Sequence, residues 1–458
     1  MSDVSRVPAR LTWRRALPIL ALTLAGFALT LRIFYPGVMT YDAWYVHADI
    51  TKGEVGDWQS PLMTALWGAI EPLAPGSASM FVFIATLYWL AFAVLGFGLA
   101  RRSAWLGALA PVLALAPPAF VFVGIIWRDI LLAASWLLAA ALAFLVAERR
   151  DAWRLAAQML ALALLCFGLL MRPNGLFAAP LLAAYIIWPM RFDLKRAAIL
   201  YVPATVALAL LVPLVYYVLL HAKHQNLEHA IFVFDLGGIS HFTGENQFPV
   251  TWTADENDML IGPCYQPTDW DIYWTRQPCL FVMKKLDGEK VFGSPVLRDA
   301  WLRALAHHPL AYVEHRAAVT GNFLFGRTLT MFTIDIAHPD QTVFADNAWF
   351  MALKSLHDRL APTPLFRAGT WLALCIVWCV IGWRRRATPS GAFLVGACGS
   401  SVVYMATFIP VGVAGDFRYA LWAVLAGLAG LVVLAVREVS IHPPAPSPVL
   451  RVVRPATT

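Results

Sequence analysis

Polar and apolar positions do not alternate along most of this chain: polar residues are bunched, and long apolar runs separate the bunches. A helix rising about 1.5 Å per residue needs about 18 or more apolar residues to cross the hydrocarbon core of a bilayer. Runs of that kind predict spans at about residues 16–34, 80–99, 104–123, 130–147, 155–171, 175–190, 197–219, 366–383, 391–411 and 419–436. The expected fold class is therefore an all-α polytopic membrane protein of about ten transmembrane helices. Two longer polar stretches interrupt the pattern, at 35–79 and 220–365. The second is rich in Gly, Pro, Asp and aromatics, and it predicts a separate domain of mixed structure.

Composition agrees with the pattern. Of 458 residues, 60% are hydrophobic and only 14% charged, and the mean hydropathy is +0.64. A soluble domain of this size needs more charge to cover its surface. The 19 Trp and 13 Tyr suit aromatic belts at two membrane interfaces. The net charge of +7 sits in short clusters between apolar runs, which is membrane topology and argues against a nucleic-acid partner.

Those clusters also predict orientation. Arg6, Arg10, Arg14 and Arg15 precede the first span, which ends in Phe34, Tyr35 and Pro36 and reads as an uncleaved anchor. Arg101/Arg102, Arg149/Arg150/Arg154, Arg191/Lys195/Arg196, Arg384/Arg385/Arg386 and Arg437 fall on the same side as that N-terminus. By the positive-inside rule both termini are expected in the cytoplasm of a multi-pass inner-membrane protein. The expected organisation is an N-terminal membrane module over 1–219 with an outer loop at 35–79. It continues with an extracytoplasmic domain over 220–365, a second membrane module over 366–436 and a Pro-rich cytoplasmic tail over 437–458. Cys264 and Cys279 are the two cysteines of the outer domain, and an oxidising compartment predicts their disulfide. Cys166, Cys375, Cys379 and Cys398 fall within spans, where a thiol packs as a small apolar group.

Several classes of function are disfavoured. No phosphate-binding G-x-x-x-x-G-K-[ST] and no dinucleotide G-x-G-x-x-G occurs in a fitting context. No predicted span carries an ionisable residue near its middle, where transporters keep theirs. Instead Arg32, Asp42, Arg128, Asp129, Arg172, Asp416 and Arg418 gather at the outward ends of spans.

The stretch YDAWYVHAD, from Tyr41 to Asp49, follows the first span. As a helix it puts Asp42, Tyr45 and Asp49 on one face. A carboxylate held beside aromatics at a membrane surface can act as a base, although most loop acids are only solvated. His47 has no metal-ligand companion one turn on and reads as structural. In GDWQSPLMTALW, Asp57 reads as the N-cap of an interfacial helix. Arg128 with Asp129 starts the fourth span, Arg172 with Asn174 turns between the fifth and sixth, and Asp416 with Arg418 starts the last. An arginine fork suits phosphate; the bland alternative is contact with lipid headgroups or with the neighbouring acid.

In this order the landmarks resemble the GT-C superfamily of membrane glycosyltransferases, in particular the branch of protein O-mannosyltransferases and aminoarabinose transferases. Asp42 stands where that family keeps an acid after its first span. Gln59-Ser60-Pro61-Leu62 stands for its H-P-P-L-like element, Arg172-Pro173-Asn174-Gly175 with Pro180 for its basic-Gly turn, and Arg418-Tyr419-Ala420-Leu421 for its R-Y-L-L-P-like element. The resemblance covers about residues 16–190 and 366–436, not the outer domain. It implies a GT-C-like fold and transfer of a sugar, with inversion, from a polyprenyl-phosphate donor to a glycan, lipid or protein acceptor on the outer face. Asp42, Asp49 and Asp129 are then the candidate catalytic acids, and Tyr45, Arg128, Arg172, Asn174 and Arg418 the candidate substrate-binding residues. The first loop lacks a paired Asp-Glu, so the sequence does not indicate a metal and leaves a divalent one open as a cofactor. A transporter, a flippase or a non-enzymatic envelope-assembly factor is the competing expectation.

The orientation is testable with reporter fusions. Fusions after Arg102 and Arg386 should report cytoplasm and one near Gly288 the opposite side; a cytoplasmic signal at Gly288 would sink the topology.

Overall fold

The computed structural model describes residues 11–326, 331 and 344–436. Arg6, Arg10, Arg437 and the tail over 437–458 lie outside the described residues, as does part of the segment 220–365. Described elements are helical, with no strand among them.

The chain opens with α1 (Trp13–Phe34), α2 (Tyr41–Lys52), α3 (Pro61–Ile70) and α4 (Ala78–Ala100). It continues with α5 (Ala104–Leu113), α6 (Pro117–Phe120), α7 (Arg128–Val146), α8 (Ala152–Met171), α9 (Ala179–Ile187) and α10 (Leu194–Pro213). A second block holds α11 (His229–Thr243), α12 (Ala254–Ile261), α13 (Ile272–Thr275), α14 (Phe281–Gly288), α15 (Pro295–His307), α16 (Pro309–Phe325) and α17 (Ala348–Leu360). The last block is α18 (Ala368–Arg384), α19 (Pro389–Phe393), α20 (Gly399–Val411) and α21 (Leu421–Leu434).

Among the described residues seven helical stretches are long and apolar enough to cross a membrane: Trp13–Phe34, Ala78–Ala100, Arg128–Val146, Ala152–Met171, Leu194–Leu219, Pro389–Val411 and Phe417–Leu434. The protein is a multi-pass membrane protein, but three of the ten expected spans are shorter than expected. The run 104–123 ends as a helix at Leu113 and restarts only at Pro117-Pro118. The run 175–190 winds first as a tight turn from Pro173 to Phe177, and α9 stops one residue before Trp188, which precedes Pro189. The run 366–383 is a 17-residue helix behind a Pro364 turn.

α7 is the centre of the bundle and is apolar on every side beyond its first turn. Its alanines let α4, α8 and α21 approach closely, and Trp136 packs edge-on against Trp422 with ring centroids 5.6 Å apart. Basic clusters lie at the opposite end of α7 from Arg128, where Arg102 pairs with Glu148 at 2.7 Å. α10 leaves Ile199, Val202, Val206 and Leu210 exposed, a surface suited to lipid.

The segment 229–325 has its own apolar core, built from Val233, Phe234, Leu236, Leu260, Tyr273, Val282 and Leu286. The expectation of mixed structure is corrected: this core is enclosed by short helices. Two of its prolines start helices, Pro295 and Pro309 in the first turns of α15 and α16, while Pro249, Pro263, Pro267 and Pro278 lie in turns and bends. The expected Cys264–Cys279 disulfide is present, closing a separation of 15 residues. At the centre Asp235 is fully buried and takes Arg316 at 2.6 Å, His315 at 3.2 Å and the Trp301 indole N–H at 2.8 Å.

Close helix contact generates one prediction. A Cβ on Gly26 would sit 1.9 Å from the buried Trp89 ring, and that ring is fixed by its indole N–H donating to Thr30 at 2.8 Å. Gly26→Ala should therefore lower the thermal unfolding midpoint in detergent, in line with an overpacking cost of about 1–3 kcal/mol. Gly288→Ala, with open space around it, should leave the midpoint in place; equal midpoints for the two variants would refute the packing account.

Candidate functional site

α2 carries Asp42 in its first turn and ends at Gly53, whose left-handed φ of 67° needs a glycine. Its start is fixed from outside, because Trp127 donates its indole N–H to the Thr40 hydroxyl at 2.9 Å. α3 begins at Pro61, and Ser60 is its N-cap, accepting from the Met63 N–H at 3.2 Å. The Ser60 hydroxyl also donates to the Leu170 carbonyl at 2.8 Å. The Tyr216 hydroxyl donates to the same carbonyl at 2.5 Å, so two side chains pin the end of α8 from which Arg172 emerges.

Asp57 is not the cap expected from sequence. Ser60 takes that position because it stands directly before Pro61, the residue that fits the first helical position. Asp57 instead accepts from the Gln225 N–H at 2.7 Å and the Tyr217 hydroxyl at 2.8 Å, and meets His224 at 2.7 Å. It fastens the first loop to the chain leaving α10.

Asp42 has both carboxylate oxygens engaged. Oδ2 meets Arg418 Nη1 at 2.5 Å, and Oδ1 accepts from Gln59 Nε2 at 3.0 Å. Arg418 is shared: its Nε lies 2.8 Å from Asp416 Oδ2, and its backbone N–H donates to Asp416 Oδ1 at 3.0 Å. Its guanidinium lies over Trp127 at 4.7 Å and near the Tyr419 ring at 5.3 Å. Arg172 lies over the same Tyr419 ring at 4.7 Å and pairs with the buried Asp129 at 2.7 Å.

Arg128 differs from both. Among the described residues it makes no ion pair or hydrogen bond, and its Nε is buried without a partner. Asn174 has its buried amide nitrogen beside the Tyr404 hydroxyl, without a well-aligned hydrogen bond. The protein around Asp42 would raise its pKa, but the charges of Arg418, Arg128 and Arg172 outweigh that and hold the carboxyl below its usual value. The set is a carboxylate among cations with one cationic group uncommitted, which suits an incoming anion beside a proton acceptor.

The structure thus brings Asp42, Arg128, Asp129, Arg172 and Arg418 into one electrostatic cluster. It does not bring Tyr45 or Asp49 to the arginines. Tyr45 is exposed and packs on Trp44 at 5.5 Å, and Asp49 lies near the end of α2, facing the Gly56 backbone. No group of three His, Cys, Asp or Glu comes together in a metal-holding arrangement among the described residues.

One acid escaped the sequence reading. Residues 268–270 pair antiparallel with 413–415, through Trp270 N–H to Val413 O at 2.9 Å and Gly415 N–H to Thr268 O at 2.6 Å. Arg316 Nη1 secures the neighbouring Gly412 carbonyl at 2.6 Å. Asp271, next in this segment, is reached by solvent yet crowded by protein. That crowding, and then the charges of Asp269 and Asp42, push its pKa up to about 6. Trp58, beside Gln59, packs against Trp270 and Trp274 at 5.9 and 6.0 Å and joins the first loop to this segment.

No family model and no curated protein matches the chain. It is similar to solved structures of an oligosaccharyltransferase from Archaeoglobus fulgidus. One, of AglB in complex with an inhibitory peptide and a dolichol-phosphate, is 12% identical with a TM-score of 0.38, covering 93% of this chain and 51% of the other. A second, in the apo form, is 14% identical with a TM-score of 0.40, covering 93% and 51%. The chain spans about half the length of the solved chains it matches. TM-scores of that size fall short of a shared fold, so the functional reading rests on the site.

The Asp271 environment predicts a pH-dependent stability. Its folded pKa of about 6 lies above the 3.8 of an unperturbed aspartate, so ionising it opposes folding, fully above the folded pKa and not at all below the unfolded one. Asp271→Asn should therefore raise the unfolding midpoint at pH 7 and leave it unchanged near pH 3.5. A gain of equal size at both pH values would assign the effect to something other than charge.

Proposed function

We propose that this protein is a membrane glycosyltransferase that moves a sugar from a polyprenyl phosphate to an acceptor hydroxyl on the extracytoplasmic face. The observation that carries the proposal is the cluster itself: Asp42 held by Arg418 at 2.5 Å, with Arg172 beside it and Arg128 left without a partner among the described residues. A phosphate-linked sugar has the oxyanion that Arg128 lacks among the described residues, and a guanidinium fork matches phosphate oxygens in pairs. The long apolar helices put a lipid-borne donor in reach, and the order of landmarks from Asp42 to Arg418 resembles that of the GT-C glycosyltransferases.

In the proposed step Asp42 takes the proton of the acceptor O–H as that oxygen attacks the anomeric carbon. The bond from that carbon to the phosphate oxygen breaks, and its electron pair leaves with the polyprenyl phosphate. The anomeric configuration inverts because bond formation and cleavage occur on opposite faces. Arg128, Arg172 and Arg418 bind the phosphate and stabilise the negative charge that grows on it. Asp129 is assigned as the counter-ion that orients Arg172, given their 2.7 Å contact, rather than as a second base. Asn174 offers its buried amide to the donor. Asp49 and Tyr45 have no part in the step.

The test compares Asp42→Asn with Asp49→Asn, using radiolabelled polyprenyl-phosphate sugars and membrane extract as acceptor. Losing a general base typically costs about 10²- to 10⁴-fold in rate. Asp42→Asn should fall in that range, with Asp49→Asn near the parent rate. Near-normal transfer by Asp42→Asn would remove the base from this loop, and no transfer by the parent protein from any such donor would end the glycosyltransferase reading.

A further inference from the structure

Asp42 as described is a weakened base. Each of its oxygens already has a partner, Arg418 Nη1 at 2.5 Å on one and Gln59 Nε2 at 3.0 Å on the other. Each oxygen keeps a further lone pair for an acceptor hydroxyl, but Arg418 favours the ionised carboxylate and so weakens it as a proton acceptor until it withdraws. Gln59 is poorly placed to withdraw: it is buried, and the residue after it, Ser60, is locked to α3 and to the Leu170 carbonyl.

Arg418 can withdraw without being stranded. Asp416 holds it at Nε, 2.8 Å away, and also at its backbone N–H, while Trp127 supports the guanidinium plane at 4.7 Å. Loss of the Asp42 contact leaves these in place. Only Nη1 has to exchange one oxyanion for another. Arg128 is the neighbouring cation whose charge already acts on Asp42 and which has no ion-pair partner among the described residues.

We infer that the donor's phosphate unmasks the base: it lands first on Arg128, then takes Arg418 Nη1 from Asp42, and so frees the Asp42 oxygen for the acceptor hydroxyl. Arg418 is then a shared element, a clamp on the carboxylate while the site is empty and a clamp on phosphate when it is loaded. Proton transfer to Asp42 then follows donor binding. Hydroxyls that reach the site early, water included, meet a carboxylate whose basicity Arg418 holds down. The freed carboxylate is also a stronger base, since the contact that favoured its ionised form has gone.

This inference rests on the proposed function, and the experiment separates the two. Decaprenyl phosphate is titrated onto the full-length protein in nanodiscs at pH 7, with affinity read by microscale thermophoresis. If Asp42 and phosphate compete for Arg418, Asp42→Asn should bind decaprenyl phosphate roughly tenfold more tightly than the parent. Asp271→Asn removes a nearby charge that does not contact Arg418, and it should tighten binding by less than about threefold. In an Arg418→Gln background the gain from Asp42→Asn should vanish.

An Asp42→Asn variant that transfers no sugar yet binds the lipid no tighter than the parent overturns the unmasking and leaves the glycosyltransferase reading intact. A gain equal to that of Asp271→Asn, or one that survives in Arg418→Gln, overturns it too. No binding by any form overturns both. Should Asp42→Asn fail to fold, the parent protein gives a second readout: the acid limb of kcat, set by the donor-loaded form, should lie at higher pH than that of kcat/KM for the donor. Coincident limbs would mean that Asp42 is equally free in both states.

Discussion

Charge compensation at the edge of a low-dielectric bundle governs this structure. A buried guanidinium is costly unless a carboxylate and hydrogen bonds answer it. Arg128, Arg172 and Arg418 face Asp42, Asp129 and Asp416, so the formal charges balance, but the pairing does not. Arg418 has two acids, Arg172 has one, and Arg128 has none among the described residues. Aromatic faces make up part of the difference, with Tyr419 under both Arg172 and Arg418. An even pairing would make a stable plug. The uneven one leaves a place that an anion can complete.

Holding these groups together is a long-range task, since Asp42 and Arg418 are 376 residues apart. Each wall is fixed where a side chain reaches a backbone group or another wall's side chain. Ser60 and Tyr216 seize the end of α8, Trp127 seizes the start of α2, and Arg316 seizes the Gly412 carbonyl. The last contact runs back to Asp235, fully buried in the second core. The loop carrying Asp416 and Arg418 is therefore as rigid as that core permits.

How much of this was legible in the sequence depended on whether the signal was local. Arg128, Arg172 and Arg418 could be found because each stands where an apolar run begins or ends, and Asp42 because it follows the first span. Cys264 and Cys279 could be paired by elimination. Asp57 was misread because Asp and Ser are equally good N-caps, and only the position of Pro61 favours Ser60. Two apolar runs read as full spans although Pro117 and Pro118 in one and Pro189 in the other limit the helices within them. Tyr45 and Asp49 share a helical face with Asp42, yet a face has length, and the arginines meet only its first turn. Asp271 had no local signal, since its place depends on the pairing of 268–270 with 413–415.

The disulfide bears on the site through the span of chain it encloses. The loop between Cys264 and Cys279 contains Thr268, Asp269, Trp270, Asp271, Trp274 and Arg276, which is the ledge that pairs with 413–415 and packs under Trp58. Nothing else covalent fastens that ledge. The membrane helices depend on neither sulfur, so a chain made where thiols stay reduced can insert and assemble its bundle with this wall left slack. Correct targeting and a well-behaved preparation are then no guarantee of a competent protein, and the oxidation history of each sample becomes part of its specification.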